Sequence, residues 1–276
     1  MIDVHCHLNF HSFKDDYDAV IKSALEKGVT RIINVGTKHD SSQWAVDLAK
    51  QYKELYAIVG VHPHHADKVT VGHPELDSGS NTWIENLEKI AQQDKVVGIG
   101  EIGLDYFSYK SNGIVDKKIQ QEVFELQIQL AHKLKLPIQI HNRLAGEDVI
   151  AMLKEKKHLL QPVPGMFHCF AGSTDVLKSA LQMGFFIGFD GNSTYPGLAP
   201  KETVELGELI RLTPIERIVT ETDSPYLTPM PHRGKRNMPE YVILVGKHIA
   251  DVKNLSLDQV IEHTTQNVYT IFNRLS

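Results

Sequence analysis

Histidine is the residue to start from, because 15 of the 276 residues are histidine and several share spacings that can do chemistry. His5-Cys6-His7 follows a short apolar run, and His62-Pro63-His64-His65 repeats the His-x-His pattern. On an extended strand alternate side chains share a face, so His5 and His7 point together and Cys6 points away. Two neutral imidazoles placed in this way can bind one divalent cation. About one His-x-His pattern is expected by chance at this histidine content, so the pair needs company before it signifies a site. Four other residues supply it: Glu101, His141, His168 and Asp223. Each alone has a plain reading, as a loop acid, a hydrogen-bonded histidine or a turn residue before Ser-Pro. Together they form a ligand set of imidazoles and carboxylates, and a carboxylate can bridge two cations with its two oxygens.

Such a set needs elements that bring it together. Short apolar, β-branched runs at residues 2–5, 31–35, 55–59, 96–99, 137–140, 163–167, 185–188 and 217–220 read as strands. Between them lie helical patterns at residues 19–27, 40–50, 82–92, 116–135, 146–156, 173–183 and 201–211. Gly28 is placed to stop the first helix. The 69–81 stretch, rich in Gly, Ser and Pro, reads as an extended loop. Eight strands with helical patterns in the seven gaps between them predict an α/β (β/α)8 barrel formed by the whole chain, residues 1–276, as a single domain. A doubly wound open sheet is the rival, and it lacks a Gly-x-Gly-x-x-Gly opening an early helix. The barrel puts its chemistry at the C-terminal ends of the strands. His5 and His7 lie at the end of the first, Glu101 of the fourth, His141 of the fifth, His168 of the sixth and Asp223 just past the eighth.

Composition narrows the function. The 29 Lys and Arg against 34 Asp and Glu leave a net charge of −5, which argues against holding nucleic acid by bulk charge. No apolar run is long enough for a membrane span, and no leader of basic then apolar residues opens the sequence. The two cysteines, Cys6 and Cys169, exclude a disulfide scaffold and fit a reducing cytoplasm. Both read as small packing residues.

The segments around these residues resemble the TatD family of metal-dependent deoxyribonucleases, in the amidohydrolase-like barrel superfamily. The resemblance runs nearly end to end. It is carried by Ile2-Asp3-Val4-His5-Cys6-His7-Leu8, Gly60-Val61-His62-Pro63-His64, Gly98-Ile99-Gly100-Glu101-Ile102-Gly103-Leu104-Asp105-Tyr106, the run ending Ile140-His141-Asn142-Arg143, His168-Cys169-Phe170-Ala171-Gly172-Ser173 and Glu221-Thr222-Asp223-Ser224-Pro225. It implies a two-metal centre with His5, His7, Glu101, His141, His168 and Asp223 as ligands and Glu101 as the bridge. Zinc, manganese, nickel, iron and magnesium all suit such donors. It also implies hydrolysis of DNA phosphodiesters, as a 3′-5′ exonuclease on single-stranded ends, by a monomer or weak oligomer. The chain departs from the family pattern at Asn192-Ser193-Thr194-Tyr195-Pro196-Gly197 and at Met238, and no departure removes a ligand.

Asp223 and Glu101 are the catalytic candidates, Asp223 as acceptor of the attacking water's proton. Glu221, two residues before Asp223, reads as a support for the ligands or a salt-bridge partner. His62, His64 and Arg233 are the candidate phosphate contacts, with Arg143 behind them. Tyr106, Phe107 and Tyr226 are candidates to stack bases. Two rival functions use the same residues: hydrolysis of a small amide, lactone or phosphoester, and a metal-binding interaction module without catalysis.

Overall fold

The computed structural model describes residues 1–69, 82–109 and 113–275. Eight strands pair in parallel in sequence order: β1 (Ile2–Cys6), β2 (Arg31–Val35), β3 (Leu55–Val59), β4 (Val96–Asp105), β5 (Ile138–Arg143), β6 (Gly165–Phe167), β7 (Phe186–Phe189) and β8 (Ile218–Thr220). The chain beyond β8 returns to β1, where His7 N–H donates to Ser224 O at 2.8 Å and Asp223 N–H to His5 O at 2.8 Å. The sheet thus curls back on itself as the (β/α)8 barrel the strand count predicts.

Helices fill the crossovers: α1 (Tyr17–Glu26), α2 (His39–Gln51), α3 (Thr82–Ala91), α4 (Lys117–Leu134), α5 (Gly146–Glu155), α6 (Thr174–Gln182) and α7 (Leu206–Leu212). Their starts follow from capping chemistry. The Asp116 carboxylate accepts from Lys118 N and Ile119 N ahead of α4, and Ser173 accepts from Val176 N ahead of α6. Gly28 has φ +95°, which stops α1 as its position in the sequence suggests. After β8 come two helices that the sequence reading did not delimit, α8 (Val242–Lys253) and α9 (Leu257–Ile271). A reciprocal Ser256–Gln259 capping box starts α9. Its end supplies Val268, Ile271 and Phe272, which pack with Ile2, Tyr56, Val97, Phe186 and Val219. This apolar cluster seals the N-terminal end of the barrel and leaves the other end for polar groups.

The boundaries that differ most from the sequence reading are those of β4, β5 and α7. β4 runs on to Asp105 because it keeps pairing with β5, as far as Asp105 opposite Arg143, beyond a register shift between Ile99 and Ile102. Glu101 and His141 therefore sit within their strands rather than at the ends. Gly103 permits this pairing: its φ is +144°, and a Cβ there would lie 2.0 Å from His141 O. α7 starts at Leu206, not near residue 201, because Lys201 is left-handed at φ +68°. The loop read at 69–81 lies, from residue 70 onward, outside the described residues. No helix among the described residues is long and apolar enough to cross a membrane.

Candidate metal centre

The strands deliver the six candidate ligands to one end of the barrel, with Glu101 at the middle. Its two oxygens face different partners. Oε1 lies 2.6 Å from His141 Nδ1, 3.4 Å from His168 Nε2 and 3.4 Å from His62 Nε2. Oε2 lies 3.6 Å from His5 Nε2 and 3.9 Å from His7 Nε2. Asp223 joins the second side, its Oδ1 3.3 Å from His7 Nε2 and 3.7 Å from His5 Nε2. His5 and His7 do share a face, with their Nε2 atoms 3.1 Å apart, while the Cys6 thiol turns away to Ile33 O.

The remaining ring nitrogens decide which atoms are free to coordinate. His7 Nδ1 lies 2.9 Å from Val35 O, a pure acceptor, so Nδ1 carries the proton and Nε2 is left for the site. His168 Nδ1 lies 3.3 Å from Glu221 Oε2, which leaves its Nε2 toward Glu101. Glu221 is fully buried and also accepts from Cys169 N–H. Of the two sequence readings for Glu221, the structure shows it in contact with a ligand candidate rather than with a lysine or arginine.

Electrostatics fit a cation site. Burial and the neighbouring imidazoles hold His5 well below its ordinary value, so it is neutral as a ligand must be. Burial alone would also lower His141 and His168, but nearby carboxylates reverse this. Glu101 and Asp105 push His141 up to about 9, and Glu221 and Glu101 push His168 up to about 10. Burial opposes ionisation of Glu101, yet His62, His168 and His141 hold it well below the usual carboxylate range. The cluster thus draws positive charge to itself, which protons or metal cations can supply.

Residues outside the six complete the picture. His62 caps the turn that follows β3, its Nδ1 accepting from His64 N–H at 3.1 Å, and burial lowers it to about 4. His64 Nε2 lies 2.9 Å from Asp105 Oδ2. Arg233 is exposed and stacks on the Tyr195 ring with its guanidinium 4.0 Å from the centroid. The basic run it belongs to divides, because Arg236 is paired with both oxygens of Asp16. Arg143 lies over Phe107 at 4.2 Å, with Lys201 Nζ 5.1 Å from the same ring. Tyr226 is exposed and Tyr106 is not free, since its hydroxyl donates to Asp148 and Lys117 covers its ring. Sequence reasoning missed Phe10, which stacks on His7 at 4.3 Å and meets Tyr226 edge-on. It also assigned no role to Asp105 or Asp190.

Asp190 offers a test of this electrostatic picture. It is fully buried, Oδ1 accepts from Asn192 N–H at 3.0 Å, and Oδ2 has no partner. Burial, then Glu221 and Asp223, pushes its carboxyl up to about 8. The unfolded chain ionises this group near pH ~4 while the fold retains the proton, so its contribution to stability falls as pH rises from about 4 to 8. In chelator-treated protein, Asp190→Asn is expected to remove that loss, gaining on the order of 2 kcal/mol over wild type at pH 8 and little at pH 5. Urea unfolding at the two pH values reads this directly, and parallel pH dependence in the two proteins would contradict it.

Fold and site together define a (β/α)8 barrel with a histidine and carboxylate donor set at its C-terminal mouth. A model of the TatD-related DNase family matches residues 2–273, and the chain belongs to that family. It is 38% identical over 272 residues to the uncharacterized metal-dependent hydrolase YabD of Bacillus subtilis, covering 99% of this chain and 98% of that one. It is 32% identical over 278 residues to the 3′-5′ ssDNA/RNA exonuclease TatD of Erwinia tasmaniensis, covering 99% and 100%. The crystal structure of YJJV, a TatD homolog from Escherichia coli, superposes with a TM-score of 0.86 at 29% identity, covering 99% of this chain and 98% of that one. The protein is a metal-dependent hydrolase of the TatD family.

Proposed function

We propose that this barrel hydrolyses DNA phosphodiesters as a 3′-5′ exonuclease on single-stranded ends. The observation that carries the reading is Glu101, whose two oxygens face two separate groups of imidazoles. His5, His7, Glu101 and Asp223 would hold one divalent cation, and Glu101, His141 and His168 the other, with zinc, manganese, magnesium and nickel all compatible. Two cations bound there would lower the pKa of water and offset charge on attacking and leaving oxygens. Asp223 takes the proton of the attacking water, since its carboxylate is the acid at the open side of the cluster, 15% exposed against 5% for Glu101. His62 lies beside Glu101 and donates a hydrogen bond to the scissile phosphate, with His64 next to it.

The rim suits a strand of nucleic acid. Arg233, fixed against Tyr195, presents a guanidinium to a backbone phosphate. Phe10 and Tyr226 offer faces or edges to unpaired bases, and Arg143 and Lys201 over Phe107 add cations to the rim. Local contacts of this kind let a chain of net charge −5 bind a polyanion. The relative named as a 3′-5′ ssDNA/RNA exonuclease, similar along its whole length, supports the direction and the single-stranded preference.

The test is a product ladder. Metal-stripped protein is given single-stranded DNA labelled at either end, and magnesium, manganese or zinc is added back. Stepwise shortening from the 3′ end, dependent on the added ion, is the expected result. Protein that binds ions and cleaves no DNA with any of them would sink the nuclease reading and direct the search to small amides, lactones and phosphoesters.

A further inference from the structure

Asp105 is 1% exposed, and three donors converge on it, with the His64 ring close by. His141 Nε2 lies 3.1 Å from Oδ2, Tyr109 O–H donates to Oδ2 at 3.0 Å and His64 Nε2 lies 2.9 Å from the same oxygen. Phe107 N–H donates to Oδ1 at 2.9 Å. A buried carboxylate with this many donors is ionised, and an ionised carboxylate can only accept. Nε2 of His141 therefore carries a proton, while Nδ1, 2.6 Å from Glu101, is the nitrogen that faces the centre, where a bound cation would replace the proton it shares with Glu101. Behind Tyr109 stands Arg143, whose guanidinium donates to the Tyr109 oxygen at 2.7 Å and lies over the Phe107 ring. Asp105 thus joins a ligand candidate to the aromatic and cationic rim.

We infer that Asp105 is a positioning residue: it fixes His141 with Nε2 protonated and Nδ1 turned to the centre, and the Tyr109–Arg143 pair holds Asp105 from the rim. This rests on the metal-centre reading above and on no assumption about the substrate. The structure explains why β4 must extend to Asp105. Pairing of Asp105 with Arg143, and of Gly103 with His141, sets the carboxylate beside the ring. An outer carboxylate of this kind raises the basicity of the ligand nitrogen and locks the ring against rotation, and losing it commonly weakens metal binding by roughly 10–100-fold.

The experiment titrates zinc into chelator-stripped wild type, Asp105→Asn and Tyr109→Phe, in competition with a chromophoric chelator. Asparagine keeps the shape but has one acceptor oxygen and places an NH2 group against donors. In Asp105→Asn, one of two binding events is expected to weaken by roughly 10–100-fold while the other stays within about 3-fold. Tyr109→Phe, which leaves the Asp105–His141 contact in place, should weaken the same event by less. A thermal melt confirms that each variant is folded. Nitrogen-15 NMR of zinc-loaded wild type gives a readout that needs no variant: His141 should show a protonated Nε2 and a zinc-bound Nδ1. The reverse assignment overturns the inference, as do unchanged affinities in Asp105→Asn. A third ion lost in that variant also overturns it, by making Asp105 itself a ligand. Wild type that binds no ion would remove the metal-centre reading and this inference together, whereas failure to cleave DNA leaves this inference standing.

Discussion

Glu101→Gln is expected to leave the protein holding at most one cation and to cut hydrolysis by roughly 10³-fold or more. The size of the effect follows from the position of the carboxylate. Oε1 serves His141, His168 and His62, and Oε2 serves His5 and His7. Glutamine keeps one oxygen and replaces the other with NH2, a donor that repels a cation from whichever side it faces. The anion that draws positive charge to the cluster is also lost, so the affinity of both positions falls. Metal analysis of dialysed protein measures the first effect, and turnover at saturating ion concentration measures the second. Retention of two ions with turnover within tenfold of wild type would mean that Glu101 is not the shared ligand.

How far this centre was legible in the sequence depends on what kind of signal each residue leaves. His5 and His7 were readable together because strand alternation is local: two residues apart is enough to place them on one face. His168 and Asp223 were readable as positions because the barrel sends strand ends to one mouth, whereas Glu101 and His141 lie inside strands that run on past them. The partners of these residues left no such trace. Asp105 meets His141 across 36 positions, through a register that depends on a shift within β4, and Glu221 meets His168 across 53. Charge runs misled in the same way. Arg233 and Arg236 look alike in sequence, but only the fold shows Asp16 waiting for Arg236 and Tyr195 under Arg233. Phe10 has no motif at all, since its stacking on His7 is set by the turn between β1 and α1. Local periodicity was legible, therefore, and pairing between distant strands was not.

Asp223→Asn is expected to separate holding a cation from moving a proton. On the proposed reading Asp223 does both, since Oδ1 lies within 3.3 Å of His7 Nε2 and the side chain borders the open side of the cluster. Asparagine retains one oxygen in nearly the same place, so ion binding on the His5–His7 side should weaken only modestly, by about tenfold, and excess ion should restore occupancy. It has no basic oxygen to accept a proton, so turnover at full occupancy should remain about 10²–10⁴-fold low. The binding of a cleavage-resistant phosphorothioate oligonucleotide should change little, because the rim residues Arg233, Phe107 and Tyr226 are untouched. The loss would then fall on the chemical step rather than on capture. If excess ion restores turnover to wild type, Asp223 is a ligand only, and the proton must pass to another acceptor.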